Sequence, residues 1–239
     1  SPGASAVQDV GLSAIRLDYS RPGAKCRAIF GGLIPYGQIW RAGADANTTI
    51  HFSHDVTVEG QPLAAGTYGL HMIPNADSWT ILFNTDTESW GSYFLDPSRD
   101  ALRVDVTPQS AAHQEWLLYD FADLSPDGAT LHMRWAETAV PVRIGVDTQG
   151  IMLSYLRNEY MKGLAGFTAQ GHENAAKWCL DNDVNHEEAL VWIERSLQIG
   201  GTSFSGQRIR SELLAAVGRG DDAAEALLAA FDSGTAQEL

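Results

Sequence analysis

The chain has 239 residues, 44% hydrophobic and 9% aromatic with seven tryptophans, which is enough apolar material for one large domain or two modest ones and too much for a disordered polymer. Its 30 acidic against 16 basic residues give a formal charge of −14, which argues against the basic patches that phosphate backbones and anionic lipid surfaces require. No nucleic-acid partner is therefore expected, and no membrane span, because no apolar run is long enough to cross a bilayer.

The chain opens with SPGASAVQDVG, small and almost uncharged, and residues 1–13 read as a disordered or processed end of the sort a removed targeting segment leaves. That reading makes the protein periplasmic or secreted. From residue 14 to 147 the dominant period is two. SAIRLDYS sets Ile15, Leu17 and Tyr19 against Arg16 and Asp18, and TTIHF sets Ile50 and Phe52 against Thr49 and His51. TYGLHMI sets Tyr68, Leu70 and Met72 against Thr67, Gly69 and His71, and WTILFN, LRVDVT, EWLLYDF, TLHMRW and VPVRIGV alternate likewise. Such alternation marks strands with one face buried. Turn signals in VEGQPLAAG, IPNADSW and SPDGA separate them, with no helical stretch between. The pattern predicts an antiparallel β-sandwich or barrel-like domain of roughly eight to ten strands.

After Gly150 the period lengthens to that of a helix. IMLSYLRNEYMKGLAGF carries Met152, Leu156, Tyr160 and Leu164 on one stripe. In NHEEALVWIERSLQI, Asn185 and Glu188 have the spacing of a capping box, and Asp222 and Glu225 repeat it. HEEALVWIERSL and GDDAAEALLAAF echo each other over about 34 residues, the period of tetratricopeptide repeats. A plain helical hairpin accounts for the echo equally well. The expected class is thus α+β, with a helical, tetratricopeptide-like segment at 151–239 that could offer a concave surface to a protein partner.

Candidate site residues fall in three groups. The stretch GGLIPYGQIWRAGADANTTIHF packs two glycines, a Pro-Tyr and a Trp-Arg pair ahead of a strand. Arg41 beside Trp40 needs an acceptor, and Asp45, a backbone carbonyl or an anionic ligand would each serve. Trp40, Arg41, Asp45, Asn47 and Thr49 are therefore candidate ligand-binding groups, and SWGSYF adds Trp90 and Tyr93 as a stacking wall, with Arg134 as a further cation. The alternative is that the same residues stiffen a structural corner.

His51, His71 and His132 lie on the polar phase of three strands. Were those strands neighbours, the imidazoles would converge as ligands for a divalent transition metal: zinc, copper or iron. Scattered solvent-facing histidines are the plainer reading. His71 with Glu115 as acid and base is a second chemical option. Cys26 and Cys179 lack metal-type spacing, and sequence separation does not say whether they pair.

DYSRPGAK, RAIFGGLIPYGQIWRAGADANTTIHFSHDVTVEGQPLAAGTYGLHMIP, WTILFNTDTESWGSYF, DALRVDVTP and the segments EWLLYDF and ATLHMRWAETAVPVRI together resemble domain-of-unknown-function family 2911. The resemblance runs from about Asp18 to Val146 and rests on IFGGLIPYG, IWR, GTYGL and the motifs around them. It implies an exported bacterial protein with a β-rich domain and tetratricopeptide-like helices, and it singles out Arg41, Gly43, Asn47, Trp90 and Gly91. It carries no activity across. The expected function is a binding module whose polar pocket takes a small molecule, a peptide or a glycan end. The alternative is a hydrolase or lyase, metal-dependent or using the His51, His71 and Glu115 region.

Overall fold

A computed structural model describes residues 1–235. Among them the chain forms two compact units, Ser1–Thr148 and the residues from Gln149 onward, each described by itself.

The first unit is two antiparallel sheets that do not close into a barrel. Six strands lie in the order β1 (Gly3–Val10), β2 (Ser13–Ser20), β3 (Thr48–Phe52), β6 (Gly66–Ile73), β7 (Trp79–Asn84) and β8 (Asp100–Val106). Four more lie in the order β5 (Gln61–Leu63), β4 (Val56–Val58), β10 (Gly128–Val146) and β9 (Gln109–Ser125). The apolar phase of each strand makes the core: Ile15, Leu17, Ile50, Phe52, Leu70, Met72, Ile81 and Phe83 from the first sheet are almost wholly buried, as are Leu131, Met133, Trp135 and Val142 from the second. Two tyrosines bind the layers together. Tyr19 and Tyr119 meet edge to face at 4.8 Å, and the Tyr119 hydroxyl donates to the Ala42 carbonyl at 2.7 Å.

Three expectations need correction. Residues 3–10 are not disordered but form β1, which pairs with β2 from Gly3↔Ser20 to Val10↔Ser13. Their side chains alternate in exposure, and ladder hydrogen bonds to β2 order a stretch in which only Val10 is fully buried. TLHMRW and VPVRIGV are one strand, β10, because Ala136 takes a left-handed φ of 51° at a break in register with β9 and the ladder resumes beyond it. On β6 and β7 the alternation fails: Gly69, His71, Leu82 and Asn84, all on the face turned away from the core, are buried as well. Both faces of these two strands are covered along that stretch, whereas Thr67 at the start of β6 is exposed.

In the second unit α1 (Thr148–Tyr155) runs into a single π turn at Leu156–Tyr160 and a 3₁₀ turn at Leu164–Phe167, so the one long helix expected there is three short pieces. Then α2 (Ala169–Asp181), α3 (His186–Gly200), α4 (Phe204–Ala216) and α5 (Gly220–Thr235) follow. The hydroxyls of Thr168 and Ser203 cap α2 and α4 in the same way, accepting from Gly171 N–H and Gly206 N–H at 3.0 and 3.1 Å. Ala175, Ala176 and Cys179 of α2, Ile193 of α3, Leu213 and Leu214 of α4 and Ala226 of α5 form one core. The capping box at Asn185 does not form. Asn185 takes a left-handed φ of 54°, which its short polar side chain tolerates, and its carboxamide donates to Glu188, whose carboxylate is also held by Arg157 at 2.6 Å. Asp222 is not a cap either: α5 starts two residues earlier, and Asp222 accepts from Arg219 at 2.7 Å. Cys26 is exposed and Cys179 buried, and both are free thiols.

Candidate functional site

The corner between β2 and β3 is rigid for reasons written in its residues. Gly31 has φ 81°, and a Cβ there would press on the Tyr36 ring. Trp40 exchanges two backbone hydrogen bonds with Met72 at 2.7 and 2.8 Å, donates its indole N–H to the Gly43 carbonyl at 2.9 Å and stacks on Trp135 at 5.8 Å. Thr48 closes the corner with a hydroxyl bond to the Ala42 carbonyl at 3.1 Å. Trp40 is therefore chiefly a core residue, with one edge reaching the surface.

Next to that anchor, Arg41 is only half-buried. Its guanidinium donates to the backbone carbonyl of Asp45 at 2.8 Å and lies 5.8 Å from the centre of the Tyr93 ring. The Asp45 carboxylate turns instead to the Ser1 amine at 2.8 Å. Among the described residues no carboxylate stands within ion-pair distance of Arg41. Gly91, with φ 69°, lets the 85–95 segment approach, since a Cβ there would sit 2.9 Å from the guanidinium carbon. Gln38, Ile39, Trp40, Arg41, Ser92 and Tyr93 line a cleft of about 260 Å³.

His71 supports this cleft from beneath. The 85–95 segment folds over the outer face of β6, where the Asp86 carbonyl rests on Gly69 so closely that a Cβ would overlap it. His71 is 0% exposed, its Nδ1 2.8 Å from the Ser92 hydroxyl and its Nε2 without a hydrogen-bond partner among the described residues. Burial pushes its pKa down to about 4, and nearby Asp100 and Asp86 only partly oppose that. The ring is thus neutral at pH 7 and acts as a hydrogen-bonding prop for Ser92.

A pH dependence follows. The unfolded chain takes a proton on His71 near 6.5, the folded chain only near 4, so between those values the unfolded state holds more protons. Stability is expected to fall as pH drops from 6.5 to 4 and to level off below. Urea midpoints measured across that window should fall less in His71→Asn than in the parent. An equal fall in both would show that another group carries the effect.

The other expected residues are dispersed. His51 is exposed on β3 with Nδ1 2.9 Å from the Thr67 hydroxyl. It shares the outer face of the sheet with His71, but it pairs with Thr67, so the two imidazoles sit four residues apart along β6, roughly 13 Å. His132 is on β10 in the other sheet, its Nε2 3.8 Å from Asp123. The three do not converge, because alternation sets which face a side chain takes and not which strands are neighbours. Among the described residues no group of three His, Cys, Asp or Glu is placed to hold a metal ion. Glu115 is on β9, where Lys25 N–H donates to it at 2.9 Å and His113 lies 3.4 Å away, so it is no partner of His71. Arg134 is bound to Asp120 at 3.1 Å on the second sheet. Trp90 and Tyr93 are surface rings, 62% and 77% exposed. Asn47 and Thr49 line a different groove from that of Arg41.

Ser92 and Gln38 escaped the sequence reading. The available signal was Leu82, an apolar residue in the polar phase of WTILFN, which betrays a cover over the outer face and hence something folded onto His71.

The family model described as "Protein of unknown function (DUF2911)" matches residues 1–144, which is most of the β-rich unit and more than half of the chain. No curated protein and no solved structure matches the chain.

Proposed function

We propose a binding role for this chain, which belongs to the DUF2911 family: its β-rich unit holds a small molecule, a peptide end or a glycan end through a planar anionic group, a carboxylate above all. The single observation that carries the reading is Arg41, whose guanidinium lines a cleft with one backbone carbonyl as its hydrogen-bond acceptor and no carboxylate partner among the described residues. A guanidinium has five donors in a planar fork that suits a carboxylate bidentately. Tyr93 offers a ring face beside it, and Ser92, steadied by His71, adds a hydroxyl. In an acidic protein such a cation is a local exception, and local charge is what a small anion meets at contact range, because salt screens the rest beyond roughly 8–10 Å.

The test is calorimetric titration of the full chain with citrate, galacturonate and a short peptide with a free carboxyl terminus. At least one should bind. Arg41→Ala should weaken it by about 10- to 100-fold, the worth of a charge-assisted hydrogen bond, and Arg41→Lys should recover only part. Equal affinity in the parent and in Arg41→Ala would remove Arg41 from the site.

A hydrolytic reading retains one supporting observation, the 2.8 Å approach of Ser92 Oγ to His71 Nδ1. Two others weigh against it: a histidine near pKa 4 is a weak base at pH 7, and among the described residues its Nε2 has no carboxylate to orient it. Labelling of Ser92 by a fluorophosphonate would reverse this order of preference.

A further inference from the structure

The geometry points to an interaction surface at the open edge of β1, where a second copy of this chain pairs its own β1 antiparallel and joins the two six-stranded sheets into one. β1 is the first strand of its sheet, with β2 on one side only. Hydrogen bonds fix which way its backbone groups turn. Arg21 N–H donates to the Pro2 carbonyl at 2.8 Å. Ser53 N–H donates to the Ala14 carbonyl at 3.0 Å, so Ala14 and Arg16 face β3 and leave Ile15, Leu17 and Tyr19 to face β1. Through the register, Ala4, Ala6 and Gln8 turn their N–H and carbonyl groups to β2, and Gly3, Ser5, Val7 and Asp9 turn theirs to the open edge. Among the described residues one of these outward groups is met: the Asp9 carbonyl accepts from Gln8 Nε2 at 2.9 Å, which leaves it a second lone pair.

Sheets commonly blunt such an edge with short length, proline, charge or a covering loop. The other edges of this unit follow that rule. β5 has three residues and contains Pro62, and β8 carries Asp100, Arg103 and Asp105. Residues 22–24 lie along β9, with Ala24 N–H on the Glu115 carbonyl at 2.7 Å and Leu117 N–H on the Pro22 carbonyl at 3.0 Å. β1 has none of these guards. Its eight residues pair with β2 in unbroken register, without proline or lysine, and Asp9 is its one charge. On its outer face Val7 is an apolar side chain left 56% exposed.

The self-match of this edge selects a second copy as its occupant. A two-fold axis makes an edge contact isologous, so each residue meets its counterpart's partner on the other copy. With the axis at Ala6, Ser5 pairs with Val7 of the second copy and Gly3 with Asp9, and the reverse pairs follow by symmetry. Each of the four outward residues then gives and takes one main-chain bond, and no other register engages all four. In this register Asp9 faces a glycine instead of a second carboxylate. The two Val7 side chains become diagonal neighbours and shelter each other. Nothing in the pairing calls for a counter-charge, which suits association between copies that each carry −14. No residue of β1 lines the Arg41 cleft, so the surface is independent of the carboxylate-binding reading.

The experiment is sedimentation equilibrium of the full chain from micromolar to millimolar concentration, with amide hydrogen exchange at both ends of that range. A reversible dimer should form, and added salt should tighten it, since screening relieves the repulsion between two acidic copies. The amides of Ser5, Val7 and Asp9 should exchange fast in the dilute monomer and slowly in the dimer, whereas those of Ala6 and Gln8, bonded to β2, stay protected in both. Val7→Pro removes an outward N–H that the β1–β2 ladder does not use, and Val7→Lys adds a charge at the edge. Each should weaken the dimer about tenfold or more, and Val7→Lys should do so at an unaltered urea midpoint. Arg41→Ala should leave the dimer unchanged. A chain that stays monomeric at millimolar concentration overturns the inference and leaves the edge to an extended segment of another protein. It is equally overturned by a dimer that loosens with salt, by one that survives both Val7 variants, or by protection of Ser5 and Val7 in the dilute monomer.

Discussion

Trp135→Ala is expected to destabilise the β-rich unit by about 3–5 kcal/mol, the usual cost of deleting a buried tryptophan. Trp135 is 1% exposed and stacks on Trp40 at 5.8 Å, and Phe30 reaches both rings edge-on, at 6.0 and 5.8 Å. Phe30 in turn packs on Trp79 at 4.5 Å. The four rings join β7, β10 and the 21–47 loop, so the cavity left by one ring cannot close without moving the other three. Part of the loss, about 0.5–1.5 kcal/mol per pair, is specific to ring–ring geometry beyond the area buried. Trp135→Phe should cost clearly less. Urea unfolding followed by far-ultraviolet circular dichroism measures both, and a loss below about 1 kcal/mol for alanine would mean that these rings do not form the junction of the two sheets.

The second large effect is expected from a single methyl group. Gly69→Ala places a Cβ onto the Asp86 carbonyl oxygen, and both sides of that contact are backbone. No rotamer change relieves it, so the 85–95 segment must lift from the sheet at a cost of about 1–3 kcal/mol. Lifting it opens His71 to water and parts it from the Ser92 hydroxyl. Burial is the main cause of the depressed His71 pKa, so NMR titration should find the pKa risen from about 4 toward 6.5. The carboxylate ligand of the Arg41 cleft should bind more weakly in the same variant, because Ser92 and Tyr93 move with the segment. If His71 still titrates near 4 in a stable Gly69→Ala protein, the segment is not what keeps water from the ring.

Much of the architecture is legible in the chain. Ile15, Leu17 and Tyr19, or Trp79, Ile81 and Phe83, can bury one face of a strand only if every second residue points inward, and the observed core follows that rule. The 34-residue echo is legible only in part: Ala189 and Ala223 are both buried, but Ile193 is buried where its match Leu227 is 43% exposed, so α3 and α5 do not bury the same stripe. Local conformational detail was less legible. Asn185 and Glu188 have the letters of a capping box, yet Arg157, 31 residues before Glu188, takes the carboxylate that the box would use.

What the sequence determined by itself is therefore the alternation of apolar and polar positions, the change of period after Gly150, and the local bends of the corner around Trp40, such as the left-handed Gly31, all of which depend on residues close together in the chain. The tertiary structure alone decided which polar positions meet. It separated His51, His71 and His132, gave Glu115 to Lys25 and Arg134 to Asp120, sealed His71 beneath a segment some twenty residues further on, and, among the described residues, left Arg41 without a carboxylate. The physical reason is that period fixes the face of a strand, whereas strand order and the path of a covering loop arise from long-range packing that no short window of residues encodes.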